Sequence, residues 1–142
     1  MLTVTELARQ TDTTPHAVRY YTRKGLLQPV RHPENNYRLY KPSEVRWLRF
    51  VRQAKALGYT LAEIRAIMQD ADKGQSPCPR VREILLKHIE ENRRQLEILM
   101  DLQKRMELAL EQWADMPDGI PNGHSVCHLI ESSTKNNKGE LQ

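Results

Sequence analysis

Apolar residues in the first 27 positions recur at helical spacing in two short runs, divided by a polar stretch over residues 11–14. Thr14 followed by Pro15 is typical of a helix start, because the hydroxyl accepts a backbone N–H and proline lacks only an N–H that has no partner there. Gly25 is typical of the residue that follows a helix end. The pattern predicts a helix, a tight connection and a second helix.

The pattern changes between residues 28 and 41. Pro29, Pro33 and Asn35-Asn36 favour turns, whereas the four residues Tyr37-Arg38-Leu39-Tyr40 alternate as in a strand. The segment therefore predicts a β-hairpin, or wing, in which Arg38 points away from the face that carries Tyr37 and Leu39.

Two further helices follow the predicted wing. One begins at Ser43, and the other begins after Thr60, where Glu63 stands at the position that completes a capping box. The first of them also carries basic residues at three-residue steps, which places them close together on one face. These basic residues are Arg46, Arg49, Arg52 and Lys55.

A longer helical pattern covers residues 80–113 without an internal proline or glycine. Its seam steps by four and three residues, as in a coiled coil, and its direction of pairing is left open by the pattern. The seam residues are Leu85, Ile89, Asn92, Leu96, Leu99, Gln103, Met106, Leu110 and Trp113. A solitary helix of this length is marginal in water, so the seam predicts a second copy of the chain as its partner. We expect His88 to be exposed or to lie in the seam.

Polar segments rich in turn-forming residues surround this long helix. Residues 71–79 are predicted to be a linker, and a loop follows Pro117. Residues 124–131 are compatible with one or two helical turns. The polar residues 132–142 are expected to form a disordered tail.

The two halves of the chain differ in charge. Residues 1–70 hold 12 Lys and Arg against 6 Asp and Glu, whereas residues 71–142 hold 10 against 12. The basic half is therefore the candidate for binding a polyanion, although a solvated charged surface would have the same composition.

Composition also limits the compartment. No run of about 18 apolar residues exists, and the first residues lack a basic segment followed by an apolar one, so we expect a cytoplasmic protein without a membrane partner. Two cysteines, Cys78 and Cys127, are too few for a disulfide framework and are expected to be thiols.

Three segments, in order, resemble the MerR family of bacterial transcription regulators. They are Val18-Arg19-Tyr20-Tyr21 with Lys24-Gly25-Leu26, then Asn36-Tyr37-Arg38-Leu39-Tyr40, then Leu57-Gly58-Tyr59-Thr60-Leu61-Ala62-Glu63-Ile64. The resemblance covers about residues 1–113. It implies a mainly α fold with a winged helix-turn-helix domain over 1–70, an antiparallel coiled-coil dimerisation helix over 80–113, and a metal-binding loop and short helix over 114–131.

The resemblance also implies a function and a DNA-binding surface. Family members are homodimers that bind promoters with an overlong spacer and distort the DNA so that RNA polymerase holoenzyme engages both promoter elements. The DNA-binding residues implied for this chain are His16, Arg19, Tyr20, Lys24, Tyr37 and Arg38. Lys24 and Arg31 are equally compatible with phosphate contacts and with ordinary surface charge, whereas Tyr21 is expected in the core.

A resemblance to the metal-sensing members of the family implies an effector site. Cys78 occupies the position that, in divalent-ion sensors, faces the terminal loop of the partner chain. The loop-opening cysteine of those sensors is absent here, where Trp113-Ala114-Asp115 stands. The implied ligands are therefore Cys78, His124, Cys127 and His128, with oxygen from Asp115 or Asp118 as an addition, and the thiolate and imidazole donors favour zinc, then cadmium or lead. His32, in the wing, is not expected to bind metal.

Other interpretations of these residues stay open at this point. The thiols are compatible with sensing oxidants or aldehydes through covalent change. They are also compatible with ordinary packing in an architectural protein that has no effector. A zinc enzyme that uses His124 and Cys127 is disfavoured because no general base stands beside the cluster. The sequence predicts a regulator rather than an enzyme.

Overall fold

The computed structural model describes residues 1–134 of the 142-residue chain. In chain order its elements are α1 (Val4–Gln10), α2 (Pro15–Arg23), β1 (Val30–Arg31), β2 (Arg38–Leu39), α3 (Ser43–Ala56), α4 (Leu61–Asp72), α5 (Cys78–Trp113) and α6 (His128–Thr134). This order confirms the predicted mainly α fold, with a helix-turn-helix, a wing and one long helix.

The starts of α2 and α4 follow the predicted capping residues, and α1 has a capping box that was not predicted. The Thr14 hydroxyl accepts the Ala17 N–H at the start of α2, with Pro15 in its first turn. α1 and α4 both begin with a full capping box, in which Thr3 pairs with Glu6 and Thr60 pairs with Glu63. Each box satisfies backbone N–H groups that have no partner within the helix.

The first apolar cluster joins α1 and α2 to the strand end and to α3. Its buried members are Leu7, Ala8, Val18, Leu27, Tyr40 and Leu48. Tyr40 is held at both ends, because its backbone pairs with Leu2 and its hydroxyl lies 2.7 Å from the Thr22 hydroxyl. Tyr21 packs against this cluster, as expected.

The wing is a short antiparallel hairpin. Val30 pairs with Leu39 and Arg31 with Arg38, and Asn36 adopts a left-handed conformation in the turn, with φ of 60°. The Arg31 guanidinium donates to the Asn36 carbonyl at 3.0 Å. Arg31 therefore stabilises the wing turn in addition to carrying charge.

A second apolar cluster brings the first turns of α5 onto the N-terminal elements. Its buried members are Leu26, Val51, Ala54, Tyr59, Ile64 and Ile67, and partly buried Val81, Ile84 and Leu85 pack against them. The first compact unit of the chain is accordingly Met1–Ile89. We call this unit the head.

The predicted linker over residues 71–79 requires correction at both ends. α4 continues to Asp72 and α5 begins at Cys78, so helix covers part of the segment. Pro79 is tolerated in the first turn of α5, because the N–H that it lacks would have no partner there. The Arg80 guanidinium also binds the Asp70 carboxylate at 2.7 Å, which ties the two helices together.

The second compact unit begins at Glu90 and contains the rest of α5 and the segment after it. No residue of α5 is fully buried. α6 begins later than the helical turn predicted at residue 124 and includes residues 132–134, which were expected in the disordered tail. The remainder of that predicted tail, residues 135–142, lies outside the described residues.

Membrane insertion can be tested on the helices within residues 1–134. None of them combines the length and the apolar character needed to cross a bilayer.

Candidate DNA-binding surface and effector site

The helix α2 presents one polar face. His16, Arg19 and Tyr20 are exposed on it, whereas Val18 is buried in the first cluster. Their spacing of three and four residues aligns the exposed side chains along one side of the helix. This face carries side chains that can donate hydrogen bonds to base edges and phosphates.

Tyr20 is flanked by two cations. Its ring is 37% exposed, and the Arg23 guanidinium carbon and the Lys24 ammonium lie 6.0 Å and 5.6 Å from its centre. Arg23 was missing from the predicted set. Its spacing of four residues from Arg19 would have revealed it, because residues i and i+4 share a helix face.

The wing residues of the predicted set differ in exposure. Tyr37 is 70% exposed in the hairpin turn, and its backbone N–H donates to the Asn35 side chain at 3.1 Å. Arg38 is partly buried in β2. Tyr37 is thus the more accessible of the two.

The basic stripe of α3 has a structural role for two of its members. The Arg49 guanidinium donates to the Gln10 carbonyl at 3.2 Å, and the Arg52 guanidinium donates to the Thr11 carbonyl. These carbonyls lie at the end of α1, where cations stabilise the helix dipole. Arg46 instead stacks on Trp47, with its guanidinium carbon 4.7 Å from the ring centre.

Both cysteines are free thiols. Cys78 is exposed at the first position of α5, and its backbone N–H donates to the Ser76 hydroxyl at 3.3 Å. Cys127 is partly buried immediately before α6.

The loop before α6 is ordered by two polar side chains. The Asn122 side-chain oxygen accepts the backbone N–H groups of His124 and Ser125 at 2.7 and 3.0 Å. The Glu131 carboxylate accepts the Ser125 hydroxyl at 2.5 Å and the Val126 N–H at 2.9 Å. The Ser125 hydroxyl and then the backbone N–H groups lower the pKa of Glu131 below its ordinary value. A carboxylate that is charged at neutral pH therefore fixes the backbone at Val126 and Cys127.

His128 has a defined ring orientation. Its Nε2 donates to the Pro117 carbonyl at 2.8 Å, which leaves Nδ1 as the acceptor nitrogen of the neutral ring. Gly119 lies against the same ring, because a Cβ at residue 119 would stand 2.4 Å from His128 Cδ2. Histidine ligands are commonly oriented in this way, with the second ring nitrogen donating to a carbonyl.

One chain does not assemble the predicted metal ligands. Among residues 1–134, no three side chains of His, Cys, Asp or Glu come together as a group that would hold a metal ion. Cys78 was predicted to act with the loop of a partner chain, so the set Cys78, His124, Cys127 and His128 stays a prediction about a dimer. The donor chemistry fits a borderline-soft divalent ion.

Trp113 marks the end of α5. Its indole Nε1 is buried and has no hydrogen-bond partner within the described residues. The side chain lines an apolar groove of about 400 Å³ with Leu102, Met106, Ala109 and Leu110 of α5 and Ser133 of α6. Buried donors are normally paired, so the Trp113 indole is an exception among the described residues.

Two family models together cover most of the chain. The model described as MerR HTH family regulatory protein matches residues 2–71, and the model described as MerR, DNA binding matches residues 45–109.

Individual relatives match over nearly their full length. The chain is 30% identical to the mercuric resistance operon regulatory protein of Bacillus cereus over 132 residues, which are 92% of this chain and 95% of that protein. It is 26% identical to the regulator ZntR of Escherichia coli K12, over 93% of this chain and 92% of that one. Among solved structures, the regulator PbrR691 of Ralstonia metallidurans CH34 in complex with lead(II) aligns with a TM-score of 0.72 and 26% identity, covering 93% and 98% of the two chains.

Proteins of this family are DNA-binding transcription regulators and not enzymes, so the comparisons remove the zinc-enzyme interpretation. The first family model, over residues 2–71, also includes both α2 and the wing. The chain belongs to the MerR family of transcription regulators, which bind promoter DNA as dimers.

Proposed function

We propose that this protein is a homodimeric activator that responds to a divalent soft metal, with zinc favoured and cadmium or lead next. The observation that carries the proposal is the pair of thiols at the two ends of α5: exposed Cys78 at its start, and Cys127 in the ordered loop after its end. Relatives include a mercuric resistance regulator and a regulator bound to lead(II), which supports a metal as the signal.

The proposed dimer uses the apolar face of α5. Residues along this helix expose large apolar side chains in the single chain, which is unfavourable for a helix of 36 residues in water. The exposed seam members are Ile89, Leu96, Leu99, Met106 and Leu110. Antiparallel pairing would cover them and would place Cys78 of one chain near the loop of its partner.

The proposed ligands come from both chains. Cys78 from one chain would join Cys127, His128 and His124 from the partner, which gives the three or four donors that zinc needs. His128 would bind through Nδ1, because Nε2 is engaged with Pro117. Asp115 or Asp118 would supply an oxygen where the loop-opening cysteine of other sensors is absent.

The proposed DNA contacts lie on α2 and the wing. His16, Arg19, Tyr20 and Lys24 would enter the major groove or contact its phosphates, and Tyr37 and Arg38 would contact the backbone. Arg23 joins this set by its position beside Tyr20. Metal binding would change the DNA shape between the two half-sites, so that RNA polymerase holoenzyme engages both promoter elements.

Metal titration tests the proposal directly. Reduced protein is titrated with zinc, cadmium and lead, and the same metals are added to transcription in vitro from a promoter that the protein binds. We expect stoichiometric binding, metal-dependent transcription, and at least about 10-fold weaker metal affinity for Cys78→Ser and Cys127→Ser, because each removes a thiolate ligand.

His32→Ala is the matched control for His128→Ala and His124→Ala. The wing histidine is outside the predicted ligand set, so its removal should leave metal affinity unchanged. Absence of metal binding, or activation by a mild oxidant in a chelator with modified Cys78 or Cys127, would contradict the metal response and favour thiol sensing. Equal transcription with and without every metal would indicate a constitutive architectural protein.

A further inference from the structure

The head contains two copies of the same capping box. At α1, the Thr3 N–H donates to Glu6 Oε1 at 2.8 Å and the Glu6 N–H donates to the Thr3 hydroxyl at 3.2 Å. At α4, the Thr60 N–H donates to Glu63 Oε1 at 2.8 Å and the Glu63 N–H donates to the Thr60 hydroxyl at 3.2 Å. The two boxes therefore match in residue types and in geometry.

Within residues 1–134, an additional contact from α5 is found at the second box and not at the first. The His88 Nε2 lies 2.8 Å from Glu63 Oε1 and 3.1 Å from Glu63 Oε2. The His88 and Glu63 side chains are 23% and 27% exposed, so water screens this pair less than a pair on the open surface. The prediction that His88 is exposed or in the seam is therefore corrected, because α5 turns this residue toward α4.

Neighbouring contacts hold the same part of α5. The Tyr59 hydroxyl donates to the Val81 carbonyl at 2.8 Å, and the Tyr59 ring meets the His88 ring edge to face, with centres 6.4 Å apart. Ile84 and Leu85 pack on the second cluster. The turns of α5 from Val81 to His88 thus contact the preceding elements through apolar packing, the Tyr59 hydrogen bond and the contact of His88 with Glu63, and the Arg80–Asp70 ion pair lies just before them.

The charge of Glu63 is maintained in this position. Burial acts to raise its pKa, but the His88 and Thr60 hydrogen bonds outweigh burial and lower the pKa below the ordinary value. Glu63 is therefore a carboxylate at neutral pH. Glu91, three residues beyond His88 on α5, is a further acidic residue near that ring by helix geometry.

We propose that Glu63 and His88 are positioning residues that set the operator spacing which the dimer accepts. The Glu63 carboxylate caps α4. Through the same oxygen it contacts His88 and so orients the first turns of α5. In a dimer, the direction in which α5 leaves the elements α1 to α4 would determine the separation of the two α2 faces. That separation selects the distance between DNA half-sites.

The proposal rests on dimeric DNA binding and not on metal response, so its test contains no metal. Randomised duplex DNA is first selected with the parent protein in the presence of a chelator, which gives two half-sites and their spacing. Affinities are then measured for duplexes in which that spacing is changed by one or two base pairs. The readout is the ratio of affinity at the best spacing to affinity at the neighbouring ones.

Glu63→Gln and His88→Gln are the test variants. Glutamine at residue 63 still completes a capping box, and glutamine at residue 88 leaves the box untouched, so both variants are expected to fold. We expect each variant to lower the spacing ratio by about three-fold, which is the size of effect expected from losing one partly exposed contact such as His88 with Glu63. Binding to a single half-site should be unchanged, and the double variant should lose no more than either single one.

Glu6→Gln is the matched control, because it makes the same change in the box that lacks a histidine. It should leave the spacing ratio unchanged. His88→Lys, which supplies a cation that reaches Glu63, should recover most of the ratio. Unchanged ratios in both test variants, or an equal loss in Glu6→Gln, would overturn the proposal while leaving the metal response untouched.

Discussion

The head and the part of α5 beyond Ile89 obtain their stability from different sources. The head buries two apolar clusters within one chain, with Leu7, Val18, Leu48, Val51 and Ile64 excluded from water. α5, by contrast, has no fully buried residue, and Leu99 in its second half is 60% exposed. Apolar side chains thus form a core in one region and stay exposed in the other. The comparison teaches that a single chain buries the apolar residues of the first region but not those of the second.

The largest expected effect is in the head. Leu48→Ala removes a fully buried side chain from the first cluster and should lower the free energy of unfolding by about 3 kcal/mol, through lost burial and a cavity. Urea unfolding followed by circular dichroism measures the change. A loss below about 1 kcal/mol would contradict the assignment of Leu48 to a close-packed core.

The matched change in the second region is Leu99→Ala. Because Leu99 is exposed in the single chain, its truncation should weaken dimerisation by about 2 kcal/mol per side chain and leave the apolar clusters of the head intact. Sedimentation over a range of protein concentrations measures the dimer dissociation constant. A dimer that keeps its parental affinity would show that Leu99 lies outside the interface.

A smaller effect separates two members of the basic stripe on α3. Arg52→Ala removes the donor to the Thr11 carbonyl, just after α1, and should cost about 1 kcal/mol. Arg46→Ala removes only a stacked cation and should cost about half of that. Thermal unfolding of the two variants gives the comparison. Equal losses would mean that the contact with Thr11 contributes nothing specific.

The smallest effects concern acidification, and they have opposite signs in the two regions. Burial, the largest influence, raises the pKa of Glu44 in the head, so folding favours its protonated form. Its contribution to stability therefore increases as the pH falls toward the ordinary value of 4.5. Glu44→Gln should raise the melting temperature at pH 7 by a few degrees at most and should reduce the gain on acidification.

Glu131 should respond in the other direction. Because the Ser125 and Val126 hydrogen bonds lower its pKa, its contribution is fully present above the ordinary value of 4.5 and is lost as the pH falls through the lowered pKa. Amide hydrogen exchange at Val126 and Cys127 should therefore quicken below pH 4.5 relative to the intrinsic rate. If amide exchange in the Glu131→Gln variant has the same pH dependence as in the parent protein, another group orders the loop.

Local signals predicted much of the fold. Thr14-Pro15 and Thr60 with Glu63 gave the starts of α2 and α4, because capping is a property of adjacent residues. The heptad pattern did not reveal that α5 begins on the head. Leu85 was counted in the seam, and Val81 and Ile84 have the same apolar character. Only tertiary packing shows that all three contact the second cluster.

For the candidate effector site, the sequence proposes donors but not their geometry. Cys78, Cys127 and His128 are named from their residue types and from the resemblance to the metal-sensing members of the family, and their role as ligands stays a prediction. The contact of His128 with Pro117 spans 11 residues of loop, and the contact of His88 with Glu63 spans 25, so neither leaves a periodic signal. Their geometry depends on how separate segments pack.

The partly buried indole of Trp113 also allows the end of α5 to be followed by fluorescence. The chain has two tryptophans, and Trp47 lies in the head beneath Arg46. Replacing Trp47 with phenylalanine would leave a single tryptophan, which can be excited apart from the five tyrosines and is situated between the long helix and Ser133. Its emission would report occupancy of the loop without any attached dye.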